Sequence, residues 1–155
     1  MKKPARMFTA ASVATAVALG LVAGNSVQAF DEHAPTIDYR QGVMGAIGGN
    51  VSAIAAVVVD RADFSDNLEM HTRQLVDLTQ DIPSLFPEGS DFPETEAKEE
   101  IWEEWDHFQE YAQDTKDAAQ ALHAAVEAGE EDQYATRFRD LGQTCKACHD
   151  DFRRE

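Results

Sequence analysis

The 155-residue sequence reads as an all-α protein, an antiparallel four-helix bundle. Two observations carry that reading. Four stretches place apolar residues at steps of three and four, the spacing that makes one buried face on a helix. No segment alternates polar and apolar residues with the period of a strand. Most connections between the four stretches are short, which favours antiparallel neighbours.

The chain opens with a segment read as an address, not as fold. Lys2, Lys3 and Arg6 precede an uncharged run of apolar and small residues from Met7 to Gly24. Val27-Gln28-Ala29 has the small-x-small form of a cleavage site. Residues 1–29 are therefore expected to be a secretory signal peptide, with no stop-transfer pattern behind it. Residues 30–155 are expected to form one domain outside the cytoplasm, without a membrane span.

Phe30 to Pro35 is expected to be a short polar lead. The first helix should start near Thr36 or Ile37 and run to about Val59, with Val43, Met44, Ile47, Val51, Ile54 and Val58 on one face. Gly42, Gly45, Gly48 and Gly49 weaken it by roughly 0.5–1 kcal/mol each relative to alanine. They are expected to let a cofactor or another helix come close. A second helix is expected over Asp63–Ile82, with Phe64, Leu68, His71, Leu75, Leu78 and Ile82 as its seam. His71 interrupts that seam and reads as a hydrogen-bonded core or interface residue.

Pro83, Pro87, Gly89 and Pro93 make the one long connection. The third helix should run from about Glu96 to Ala128, with or without a break, along Ile101, Trp105, Phe108, Ala112, Thr115, Ala119, Leu122 and Val126. Gly129 is placed to end it. Glu99–Glu103 and Glu100–Glu104 are like-charge pairs one turn apart, which weaken a helix. The fourth helix should span Asp132–Arg153, with Tyr134, Phe138, Leu141, Cys145, Cys148 and Phe152 inward.

That last seam carries Cys145-Lys146-Ala147-Cys148-His149. C-x-x-C-H is the attachment sequence of a c-type haem. Its thiols add across the haem vinyl groups, and its histidine supplies an axial nitrogen to the iron. On a helix, positions i, i+3 and i+4 share a face, so all three residues can address one flat cofactor. A redox dithiol would sit beside a strand-to-helix junction, and no strand is present in the pattern. Zinc would need further ligands, and there is no second cysteine pair. Since both cysteines lie on the inward seam, the haem is expected within the bundle.

The sequence carries 13 Lys and Arg against 29 Asp and Glu, a formal charge of −16. The leader holds three of the cations and none of the acids, so the remainder carries −19. Such a surface repels nucleic acid and anionic lipid. It suits redox partner proteins with basic patches, or simply keeps the protein soluble.

These blocks together resemble the cytochrome c′ family and its class II c-type relatives. The resemblance runs through Tyr39-Arg40-Gln41-Gly42-Val43-Met44, Leu85-Phe86-Pro87-Glu88-Gly89, Thr95-Glu96-Ala97-Lys98 with Ile101-Trp102, and Thr144 to Asp151. It implies a four-helix bundle with one covalent haem c on Cys145 and Cys148, and His149 as proximal ligand. It implies Arg40 near a haem propionate and Met44 over the distal face. It also implies homodimers formed through the first two helices.

Two functions follow from the resemblance. A low-spin protein with Met44 as sixth iron ligand carries single electrons in the periplasm. A high-spin, five-coordinate protein binds nitric oxide or carbon monoxide. A peroxidase would need His71 as its distal acid–base group, and an enzyme is not the favoured reading.

Overall fold

The computed structural model describes residues 25–91 and 95–154. It contains α1 (Asn25–Val58), α2 (Leu68–Leu78), α3 (Glu100–Glu103), α4 (Trp105–Ala128) and α5 (Glu131–Phe152). Short 3-10 turns cover Ser65–Asn67 and Ile82–Leu85. Most of the leader expected over residues 1–29 lies outside the described residues.

α1 begins earlier than its apolar pattern suggested. Phe30 to Pro35, expected as a lead, is helical, with Pro35 inside the helix. Proline has no N–H for the carbonyl four residues back, so the helix passes it with one rung missing. Ala34–Val58 is long and apolar enough to cross a membrane. In the bundle, however, this helix packs on α2 and buries Ile37, Arg40, Asn50 and Ile54.

The second helix is shorter than expected at both ends. Asp63, Ser65, Asp66 and Asn67 favour local turns over helix, and the chain there forms a 3-10 turn. At the other end Pro83 biases Ile82 away from helical geometry, and α2 stops at Leu78. Its buried line also differs. Phe64 is exposed, and Leu68, Thr72, Leu75, Thr79 and Ile82 face inward. The two threonines satisfy their hydroxyls on their own helix. Thr72 Oγ1 donates to the Leu68 carbonyl at 3.0 Å, and Thr79 Oγ1 to that of Leu75 at 2.8 Å. A polar side chain bonded in this way is cheap to bury.

Glu104 interrupts the third helix, with φ −114° and ψ 43°. The break falls on the like-charged Glu99–Glu104 stretch, where helix is electrostatically weakest. On either side of it Ile101 and Phe108 are both buried. Gly129 ends α4 in the left-handed region at φ 69°, a conformation glycine adopts without strain. Its N–H bonds to the Val126 carbonyl at 3.1 Å, and α5 starts two residues later. α5 follows its expected bounds within one residue.

The core falls into two clusters. One gathers Ile82, Phe86, Ala97, Ile101, Phe108, Ala112 and Phe152. Phe108 stands edge-on to Phe86 at 4.8 Å and to Phe152 at 5.5 Å, contacts worth about 0.5–1.5 kcal/mol each beyond area burial. The other cluster gathers Ile54, Leu68, Leu75, Ala119, Leu122 and Leu141. Cys148 packs against the first and Cys145 against the second.

Candidate haem site

A cavity of about 690 Å³ opens between α1 and α5, within the range that suits a small ligand or cofactor. Arg40 and Met44 line it from α1, and Cys145, Cys148 and His149 line it from α5. Phe86, Ile101, Phe108 and Phe152 add apolar wall. All five residues singled out in the sequence thus meet in one place, although 105 positions separate Arg40 from Cys145.

Helical geometry sets the α5 side. Cys145, Cys148 and His149 are successive members of one face. Both cysteines are free and half-buried. Burial pushes both thiols up, Cys148 to about 11, with the neighbouring Cys145 and Asp151 adding to the rise. Both thiols are therefore protonated at neutral pH in the folded chain without haem. His149 lies at the mouth, bordering the cavity and an adjoining cleft. Its pKa is lowered by desolvation and then by Arg153, while Asp150 and Glu96 act in the opposite sense.

On the α1 side Arg40 is 2% exposed. Its guanidinium donates to Ser90 Oγ at 2.8 Å, Ser90 O at 2.9 Å, Thr95 Oγ1 at 2.8 Å and Leu85 O at 3.3 Å. It also stands 4.6 Å over the Phe86 ring. Desolvation lowers its pKa, yet a guanidinium keeps its proton in proteins. Among the described residues its hydrogen-bond acceptors are all neutral oxygens. A buried cation without a counter-charge is costly, and an anionic group in the cavity would supply one. Arg40 thus has a structural task that its sequence context did not reveal.

No other helix of this chain packs close on the glycines of α1, one of the two approaches expected of them. A Cβ on Gly42, Gly45, Gly48 or Gly49 would meet no atom within 4 Å. Gly45 and Gly48 border the cavity, so they keep that wall low without admitting another helix of this chain. Met44 packs partly buried against the Ile82–Phe108 cluster.

His71 is not a cavity residue. Its Nδ1 is 2.9 Å from Asn50 Oδ1, the polar interface role read for it. A second histidine escaped the sequence reading. His123 is buried on α4 with Nδ1 2.9 Å from Thr72 Oγ1, away from the cavity. Among the described residues no three His, Cys, Asp or Glu side chains gather as a metal-ion site.

The stretch before α3 closes the site. Ala97 pairs with Arg153 in an isolated antiparallel bridge. The Lys98 N–H donates to Phe152 O at 3.0 Å, and the Arg154 N–H to Glu96 O at 2.7 Å. Lys98 Nζ donates to the carbonyls of Asp150 and Asp151 in the last turn of α5. Trp102, read as lying off the main seam, donates its indole N–H to Phe86 O at 3.0 Å.

A helical bundle whose C-x-x-C-H face opens on an apolar cavity has the architecture of a c-type cytochrome, and the thiols, the histidine and the buried Arg40 cation fit a haem. The family described as Cytochrome C' matches residues 35–153. A cytochrome c' of Pararhodospirillum photometricum is 33% identical over 118 residues, covering 76% of this chain and 94% of that protein. Cytochrome c prime from Shewanella frigidimarina is similar in structure at TM-score 0.76 and 28% identity, covering 81% of this chain and 99% of that one. A nitric oxide complex of a cytochrome c prime variant from Alcaligenes xylosoxidans gives TM-score 0.71 at 27% identity, with coverage of 77% and 94%. The chain belongs to the cytochrome c′ family, and its cofactor is covalent haem c.

Proposed function

We propose that the mature chain, residues 30–155 after removal of the 1–29 leader, is a periplasmic carrier of single electrons. Cys145 and Cys148 hold the haem by thioether bonds, and His149 is the proximal ligand. Arg40 supplies positive charge towards a propionate. Met44 stands on the distal side as the sixth ligand. Bound haem supplies an iron that gains or loses one electron, and the protein needs no substrate pocket for that task.

The observation that carries this reading is the convergence of these five residues on one cavity from two helices. A thioether is a soft ligand suited to iron, and methionine–histidine ligation raises the reduction potential. Gly45 and Gly48 line the cavity and carry no Cβ, which supports close approach of α1 to the cofactor. The net −19 of the mature chain favours a basic redox partner.

The second reading is binding of nitric oxide or carbon monoxide at a five-coordinate iron. Two observations favour it. Met44 already has a packing role against the Ile82–Phe108 cluster, and methionine fills irregular core space well. The Alcaligenes protein similar to this chain was solved as a nitric oxide complex.

Visible spectra of the oxidised and reduced protein separate the two. Ligation by Met44 gives a low-spin spectrum with a weak sulfur-to-iron band in the oxidised form. Met44→Ala then turns it high-spin and speeds carbon monoxide binding. A wild-type protein already high-spin, and unchanged by that substitution, transfers the assignment to gas binding.

A second copy of the chain is the proposed partner of α1. Tyr39, Gly42, Ala46 and Gly49 step by three and four along its exposed side. Light scattering of the haem-loaded protein is expected to give twice the chain mass, and Ala46→Glu to halve it. A monomer at all concentrations rules this out.

A further inference from the structure

We infer that Glu96 and Arg153 are a pair of opposed positioning charges beside His149, which set the reduction potential of the haem from its proximal side. This rests on the reading of His149 as the iron ligand.

The geometry is specific to these two side chains. Arg153 follows His149 by four residues and caps α5 in extended conformation, its N–H donating to the His149 carbonyl at 3.1 Å. Its Nε donates to Glu96 Oε2 at 2.6 Å, and its terminal nitrogen lies 2.5 Å from the same oxygen. Oε1 accepts no hydrogen bond among the described residues. The two side chains border both the cavity and the cleft, and His149 borders both as well.

Their placement is held from the backbone. The Ala97–Arg153 bridge and the Arg154 N–H to Glu96 O bond fix the two stretches side by side. The pair is therefore more than two long side chains meeting on a surface.

The consequence for a bound haem follows from Coulomb's law. The ferric state carries one more positive charge than the ferrous state. A carboxylate beside the proximal ligand favours the ferric state and lowers the potential. A guanidinium at a similar distance favours the ferrous state and raises it. As a pair they largely cancel, so the potential is poised on their balance.

Potentiometric titration of the haem-loaded protein tests this with Glu96→Gln, Arg153→Gln and the double variant. Glu96→Gln is expected to move the midpoint upward and Arg153→Gln downward. The double variant should return close to the wild-type value. Added salt should shrink both single shifts, because the pair is partly exposed. A merely structural ion pair would weaken the fold in both single variants and give no such opposition of sign. Midpoints that do not move, or that move the same way, overturn the inference. Failure of the underlying reading looks different: a spectrum unchanged by His149→Ala would show that His149 is not the ligand.

Discussion

Cys145→Ala combined with Cys148→Ala will yield a chain that carries no haem after denaturation. Gel electrophoresis with haem staining reads this directly. The larger effect will be on the fold. The two cysteines pack against different core clusters, with the cavity lined by members of both. Haem held on these thiols would fill the space between the clusters, so its loss would leave two half-cores separated by a cavity. Linkage sets the scale. A ligand at a thousand times its dissociation constant stabilises by about 4 kcal/mol, which corresponds to about 15 °C in the unfolding midpoint of a domain of this size. Thermal unfolding followed by circular dichroism measures it. A double variant that melts within a few degrees of the haem-loaded protein would show that the clusters are self-sufficient.

Arg40→Ala will cost about 3–5 kcal/mol, placing it among the severe single substitutions. Four hydrogen bonds converge on its guanidinium from Leu85, Ser90 and Thr95. Truncation leaves the hydroxyl and carbonyl of Ser90 buried without their donor, and Thr95 Oγ1 with the Ala97 N–H alone. Arg40→Lys keeps the charge but has no planar fork to reach Ser90 and Thr95 together, so it should recover less than half of the loss. Urea denaturation of the two variants gives both numbers. A cost below about 1 kcal/mol for Arg40→Ala would mean that water replaces the guanidinium.

Much of this was legible in the residue pattern. The buried line of α4 follows the expected seam through Phe108, Ala112, Thr115, Ala119 and Leu122, with His123 buried beside it. The α5 seam put both cysteines inward, and both line the cavity. α2 was misread where hydropathy is a poor guide. Thr72 and Thr79 are polar by composition, yet they bond to their own helix and bury fully. The end of the first helix at Val58 was nearly right, but its start was not, since Pro35 looked like a boundary and is a tolerated interior residue. The Arg40 cluster and the Glu96–Arg153 pair were out of reach. Their partners lie 45 to 57 positions apart, and no local periodicity pairs residues at such a distance.

The hairpin of α4, Gly129 and α5 is the most local part of this topology. Its two helices pack against one another across a turn of two residues, Gly129 and Glu130. Contacts close in sequence form early, because little chain entropy is spent in closing them. The Arg40 bonds, by contrast, close loops of 45 to 55 residues. Assembly then has a preferred order. The attachment thiols are organised on a nascent hairpin while α1 is still undocked and the cavity is a groove, open along the side a cofactor must enter. α1 and the strap through Ser90 and Thr95 arrive afterwards and seal it. Energetically, Arg40 belongs to the late barrier-descending side of folding, so weakening it will appear chiefly as faster unfolding. The enclosure of the haem and the kinetic lifetime of the folded state are one and the same event.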